Sequence, residues 1–265
     1  MKNPKNILIT GASSGIGAAL TLEYAAANVT LFLMGRDEKR LNHIATRAQM
    51  NGAKALTHIG DVTDSAAFGA WINECDKIAP LDLVIANAGI SAGTGGGEET
   101  SAQSAAILAT NMQGVLNTVH PALALMKPRG RGQIALMSSM AAFRGVPGAP
   151  SYCASKAAMR VYGESLRCEL AAQGVEINVI CPGFVKTPMT DINDFPMPFV
   201  MEARRAAQII RKGLEENKGR IAFPLRMVAL IWALSALPAS LTDLILSRVP
   251  WRKGGGGEKA KPTAL

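Results

Sequence analysis

The sequence predicts an α/β fold: a Rossmann-like, doubly wound parallel sheet of seven strands in a single domain, with an apolar helical extension at the C-terminus. Three observations carry that reading. Short runs rich in Ile, Val and Leu recur too far apart for hairpins, helical stretches fill the gaps, and a glycine-rich turn follows the first run directly. Uninterrupted apolar runs suit strands buried on both faces, and strand–helix–strand alternation implies right-handed crossovers onto a parallel sheet.

Taken in order, the first strand, Asn6-Thr10, runs into Thr10-Gly11-Ala12-Ser13-Ser14-Gly15-Ile16-Gly17 and an Ala-rich helix near 15–27. The second strand, 29–34, leads to a helix near 37–51, with Asp37 as its N-cap and the good helix formers Glu38, Lys39 and Arg40 after it. A third strand, 55–59, precedes a helix at 64–79, and a fourth, 81–86, precedes a long helix at 101–127. The fifth, 133–138, is followed by a helix at 151–173, the sixth, 175–180, by one at 202–217, and 220–223 closes the sheet. Residues 1–223 are expected to form one α/β domain, including a loop at 188–200, residues 224–252 the helical extension and 253–265 a disordered tail. In such a sheet ligands sit at the carboxyl ends of the strands, where this chain places its unusual residues.

Composition narrows the function. The 265 residues suffice for one large core, and no linker, charge block or repeat divides them. Cys75, Cys153, Cys168 and Cys181 form no CxxC pair and no His/Cys cluster with metal spacing, so neither a disulfide framework nor a metal site is expected. The N-terminus enters a strand at once, leaving no room for a signal peptide, and a cytoplasmic protein is expected. The net charge of +8 allows an anionic partner, but the basic residues are spread along the chain and only 5% of residues are aromatic, which excludes a base-stacking groove. An anionic cofactor or a membrane surface remains.

Tyr152 and Lys156, in Ser151-Tyr152-Cys153-Ala154-Ser155-Lys156, are four residues apart and share one helix face. A phenol beside an ammonium is an acid/base pair: the cation favours phenolate and is expected to bring Tyr152 down towards the working pH. The glycine turn lets the backbone approach a pyrophosphate, and the following helix offers free N–H groups to it. His43, His58 and His120 lie away from these motifs, so no Ser-His-Asp arrangement is evident.

The turn has GxxxGxG spacing, and together with YxxxK it resembles the signature of the short-chain dehydrogenase/reductase family over nearly the whole chain. Asp61-Val62, Asn87-Ala88-Gly89, Asn111, Ser139, Pro182-Gly183, Val185 and Thr187 follow in the family's order. The resemblance implies an oxidoreductase acting on C=O or CH-OH groups. It assigns the chemistry to Ser139, Tyr152, Lys156 and Asn111, and the cofactor to Gly11, Ser13, Ser14, Gly15, Ile16, Gly17, Arg36, Asp61, Val62, Asn87, Ala88, Gly89, Pro182, Gly183, Val185 and Thr187, with Tyr152 and Lys156. Within it, Asp61 holds the adenine amino group, Thr187 the nicotinamide amide, Lys156 the nicotinamide ribose, and Asn111 a water in a proton relay. Ser139 takes the catalytic position and Ser138 a structural one. A homodimer or homotetramer through helices 101–127 and 151–173 is also implied.

Cofactor choice turns on charge near the adenosine ribose. Gly35 stands at the strand tip where NAD-specific relatives resemble one another in having Asp, and Arg36 follows. NADP(H) is therefore expected over NAD(H), with Asp37 diverted to helix capping. Met189, Phe195, Met197 and Phe199 offer an adaptable apolar lid, pointing to a hydrophobic ketone, aldehyde or secondary alcohol, although they could equally anchor the loop to the core. Residues 225–252 are apolar, interrupted at Pro238 and tipped by Arg248, Trp251, Arg252 and Lys253; they fit either a peripheral membrane surface or packing on the core or a partner. The rival to an enzyme is a non-catalytic NADP-binding sensor or membrane-associated adaptor, which would gain nothing from keeping Asn111, Ser139, Tyr152 and Lys156 together.

Overall fold

The structure is a computed structural model and describes residues 1–91, 98–193 and 196–248. Strands β1 (Asn6–Thr10), β2 (Thr30–Gly35), β3 (Lys54–Ile59), β4 (Leu83–Ala86), β5 (Gly132–Met137), β6 (Val175–Pro182) and β9 (Arg220–Phe223) form one parallel sheet in the order β3-β2-β1-β4-β5-β6-β9. A separate two-stranded ribbon joins β7 (Val185–Lys186) to β8 (Met201–Glu202). The order reverses between β1 and β4, whose register pairs Ile9 with Ile85. The crevice opens there.

Alternate residues of the central strands supply both cores. Ile7, Ile9, Leu31, Leu33, Leu83 and Ile85 point to one side, against α1 (Gly15–Tyr24), α2 (Glu38–Met50) and α8 (Ala203–Glu215). Leu8, Phe32, Val84, Ile134 and Leu136 point to the other, against α3 (Ser65–Ile78), α5 (Gly114–Arg129) and α6 (Pro150–Leu170). A period of two with both faces apolar explains why the strands read as continuous hydrophobic runs. Each fully buried Leu, Ile or Phe contributes roughly 1.5–3 kcal/mol.

The helix expected across 101–127 is divided. A π-helical turn over Ala109–Gln113 separates α4 (Ser101–Leu108) from α5, which then runs through Pro121 to Arg129. Asp37 caps α2 by accepting from the Arg40 N–H at 2.9 Å, which takes its carboxylate into the helix start. After β9 come α9 (Leu225–Ala236) and α10 (Ala239–Arg248). Packing on the core accounts for only one side of them: Met227, Thr242 and Leu246 are buried, while most of their large apolar side chains are exposed. The tail expected to be disordered, with Trp251, Arg252 and Lys253, lies outside the described residues, as does Phe195.

Candidate active site

The glycine turn after β1 is shaped by close approach. Gly11 and Gly15 have φ of +65° and +55°, in the left-handed region that disfavours side chains. A Cβ on Gly17 would lie 2.1 Å from the Gly11 carbonyl oxygen, so α1 can pack this tightly on the turn only with glycine there. Asn87 Nδ2 donates to the carbonyls of Thr10 (2.9 Å) and Gly11 (3.2 Å), and Thr10 Oγ1 accepts from the N–H groups of Asn87 and Ala88. Thus the turns after β1 and β4 are bolted together at the point where strand order reverses.

A cleft runs from there along the carboxyl ends of the strands. Its walls include Gly11, Ser14, Gly15, Ile16, Arg36, Asp61, Val62, Asn87, Ala88 and Gly89. Ser139, Tyr152, Lys156, Pro182, Gly183, Val185 and Thr187 line it too, Thr187 close against Gly15 and Lys156 against Gly89. Three expected site residues stand behind the wall. Ser13 is buried behind Gly35, Gly17 packs under Gly11, and Asn111 lies a layer deeper. Asp37 does not line the cleft. The sequence reading missed Met34, Ile90, Thr110 and Met137 as lining residues; nothing in their types or spacing marked them.

Arg36 and Asp61 pair across the rim at 3.5 Å. Burial pushes the Asp61 carboxyl up, but hydrogen bonds from the backbone and side chain of Thr63, with the Arg36 charge, outweigh it and leave the group below the ordinary carboxylate range.

The fifth strand and α6 bring the reactive side chains together. Ser139 stands just past β5, its Oγ accepting the Ala141 N–H at 3.1 Å, and its side chain is near enough to the Tyr152 hydroxyl to favour phenolate. Ser138 Oγ donates to the Lys156 carbonyl at 2.8 Å and so ties β5 to α6, in keeping with a structural role. Lys156 Nζ donates to the Met137 carbonyl at 2.9 Å and lies 5.6 Å from the Tyr152 ring centre. Asn111, fully buried, accepts from the Ile90 N–H (2.8 Å) and donates to the Ile90 carbonyl (2.9 Å) and Ser155 Oγ (3.1 Å). Ser155 Oγ in turn donates to the Tyr152 carbonyl at 2.8 Å, a chain of bonds from the β4 loop to the tyrosine.

One expectation is reversed. Burial raises Tyr152 above the ordinary phenol value, and the nearby Ser139 side chain only partly opposes it. Burial also lowers Lys156, to about 8. In this cleft desolvation outweighs the mutual attraction that spacing alone led us to expect, and both groups are driven towards their neutral forms.

The sequence also hid Glu99, whose carboxylate accepts the Ser151 N–H at 3.1 Å at the start of α6, one residue from Tyr152. Of the lid candidates, Met189 lines the cleft, Met197 is half-buried and Phe199 is exposed. A capping box of Thr187 and Thr190 winds Pro188–Asp191 into a helical turn (α7) and turns Met189 inward. Among the described residues no group of three His, Cys, Asp or Glu could hold a metal ion, and all four cysteines are free.

The short chain dehydrogenase family model matches residues 5–194. An uncharacterized oxidoreductase of Myxococcus xanthus is 36% identical over 246 residues, covering 92% of this chain and 97% of that protein. Among solved structures, a short-chain dehydrogenase from Sphingobium yanoikuyae in complex with NADPH aligns with a TM-score of 0.76 at 25% identity, over 96% of this chain and 99% of that one. A short chain dehydrogenase from Mycobacterium paratuberculosis bound to NAD, at 22% identity and TM-score 0.72 over 82% of this chain and 94% of that one, shares the fold. The chain belongs to the short-chain dehydrogenase/reductase family and is an oxidoreductase of that class, which binds nicotinamide cofactors and acts on small molecules.

Proposed function

We propose that this protein is an NADP(H)-dependent carbonyl reductase or alcohol dehydrogenase acting on a hydrophobic ketone, aldehyde or secondary alcohol. The observation that carries the reading is the meeting of the Ser139 and Tyr152 hydroxyls beside Lys156 in the same cleft as the glycine turn. The fit to a dinucleotide rests on shape: the crowding at Gly11 and Gly17 leaves bare backbone facing the cleft, where a pyrophosphate can approach the N-terminus of α1. Ser14, Gly15 and Ile16 would hold the phosphates, Asp61 and Val62 the adenine, Lys156 the nicotinamide ribose, and Pro182, Gly183, Val185 and Thr187 the nicotinamide. When bound, the nicotinamide exchanges a hydride with the substrate carbon.

The chain's own residues handle the oxygen and its proton. Ser139 donates a hydrogen bond to the carbonyl oxygen as negative charge builds there, and Tyr152 delivers the proton. The raised pKa of Tyr152 keeps it protonated, as a donor requires, and the Lys156 ammonium, close to its own titration point at neutral pH, can return a proton to the tyrosine. Asn111 positions this relay through Ile90 and Ser155. In the oxidative direction the same groups act in reverse, with Tyr152 as base.

Arg36 on the cleft rim, with Gly35 rather than a carboxylate at the tip of β2 and Asp37 withdrawn into the α2 cap, supports NADP(H): a guanidinium there can meet a 2'-phosphate, in competition with its 3.5 Å pairing to Asp61. Met189 and Ile90 in the cleft wall support an apolar substrate. The test is oxidation of NADPH and NADH side by side against long-chain ketones, aldehydes and 3-oxoacyl thioesters. Substrate-dependent oxidation favouring NADPH is expected, and Tyr152→Phe should lower it roughly 10²- to 10⁴-fold. A Tyr152→Phe protein retaining a tenth of the activity would refute the assignment; faster turnover with NADH would refute the cofactor.

A further inference from the structure

We propose that α9 and α10 form a docking face for an anionic lipid bilayer, on which they lie peripherally while their inner sides hold the segment that follows Ser139. On α9, Leu225, Leu230 and Trp232 are exposed, Leu225 and Trp232 by 79% and 74%. On α10, Leu241, Leu244 and Ile245 are exposed, one turn apart. The usual amphipathic arrangement is thus overlaid by a second apolar stripe facing out, and a soluble surface rarely gathers this much. Among the described residues no helix is long and apolar enough to cross a membrane, so the face can lie on a bilayer but these helices do not span it.

Charge identifies the occupant. Arg226 is exposed on the same face as Leu230, one turn away. Asp243, the acidic residue of these helices, projects from the opposite side of α10 to Leu241 and pairs with Arg144 at 3.5 Å. α10 ends on Arg248, and the sequence that continues from it adds Arg252, Lys253, Lys259 and Lys261 against the single acid Glu258. An apolar stripe with an exposed Trp, bordered by Arg226 and followed in sequence by a basic segment, matches acyl chains beneath anionic headgroups. Residues 249–265 offer only Val249, Trp251 and Leu265 as large apolar groups, too few to cover the stripe.

The inner sides of the same helices reach the active site. Ser235 Oγ donates to the Phe143 carbonyl at 3.1 Å, and the Arg144 guanidinium hydrogen-bonds Thr242 Oγ1. Met227 packs with Met140 in one buried cluster. Docking therefore sets the serine segment close to the bilayer, where a lipid-like carbonyl compound would be concentrated; this last consequence rests on the reading of the substrate given above, whereas the docking itself does not.

The test is co-sedimentation of the full chain with vesicles of phosphatidylcholine alone and of phosphatidylcholine mixed with phosphatidylglycerol. Binding to the mixed vesicles, weakened by salt, is expected. The double variant Leu225→Ser, Trp232→Ser should abolish it, and Arg226→Gln should weaken it about fivefold, the worth of one cation near an anionic surface. Both variants change exposed side chains, and thermal melts check that they stay folded. Failure to bind anionic vesicles above neutral ones would overturn the proposal, as would binding indifferent to Leu225 and Trp232. Light scattering supplies a further refutation: an oligomer that the double variant dissociates, with no vesicle binding by the wild type, would assign the face to a second copy of the chain. None of these outcomes depends on turnover, so failure of the reductase reading would leave the lipid test intact.

Discussion

Lys156 is nearly inaccessible, makes one hydrogen bond to a neutral carbonyl and has its pKa lowered to about 8 from 10.5. A lysine in this state costs stability whenever it must be charged. Between about pH 8 and 10.5 the unfolded chain binds more protons at this group than the folded one, so its contribution to stability rises with pH through that window. By about pH 9.5 the gain over neutral pH should reach about 2 kcal/mol. Buried Cys75 and Cys181, raised to about 12 and about 11, act in the opposite sense, which is why the comparison is made against Lys156→Met rather than against pH alone. Urea unfolding of the cofactor-free protein at pH 7 and 9.5 should show the wild type gaining about 2 kcal/mol relative to the variant. Equal pH dependence of the two would mean that Lys156 is not desolvated. Residue types and spacing made Ser139, Tyr152 and Lys156 legible from sequence, because chemistry resides in side-chain identity. The direction of the tyrosine shift was not legible, because desolvation is a property of everything packed around the group.

At the scale of the element, the π-helical turn over Ala109–Gln113 is what sequence could not foretell. Its residues keep the pattern of an ordinary helix, and the widened turn coincides with the tertiary bonds from Asn111 to both backbone groups of Ile90. Extra-residue turns of this kind commonly mark functional positions. Asn111→Ala would strip partners from an N–H and a carbonyl at once, and each buried polar group left unsatisfied costs about 1–3 kcal/mol. A loss of roughly 2–4 kcal/mol in urea unfolding is expected. Turnover should fall too, and if Asn111 positions the relay its pH profile should shift; a variant that loses stability while keeping the wild-type profile would reduce Asn111 to a purely structural role. By contrast, the strands and the Asp37 cap were readable, because a β-run buried on both faces and an N-cap are local signals. The capping box at Thr187 and Thr190 is also local, but it went unread beside the apolar residues around it. Phe199, which the sequence offered equally as substrate lid or loop anchor, is exposed in the structure.

For the whole molecule, the parallel sheet and its right-handed crossovers follow from alternation, while the order that reverses between β1 and β4 and opens the crevice there is seen only in the structure. Nor can alternation provide the outer surface, since exposed apolar residues carry no periodic signal of their own. Besides the C-terminal face, Leu108 at the end of α4 and Val161 on α6 remain 38% and 55% exposed. These are the two stretches through which the family resemblance implies subunit contact, and a homodimer or homotetramer is the expected mass by light scattering. A closed two-fold contact meets each substitution twice, once from each subunit. Val161→Glu would then bury two uncompensated carboxylates in a single interface, each costing several kcal/mol, enough to shift the protein to smaller species at micromolar concentration. The same substitution on a surface open to water should be nearly neutral. An unchanged mass for Val161→Glu would therefore remove this region of α6 from the interface, and a monomeric wild type would remove the interface altogether.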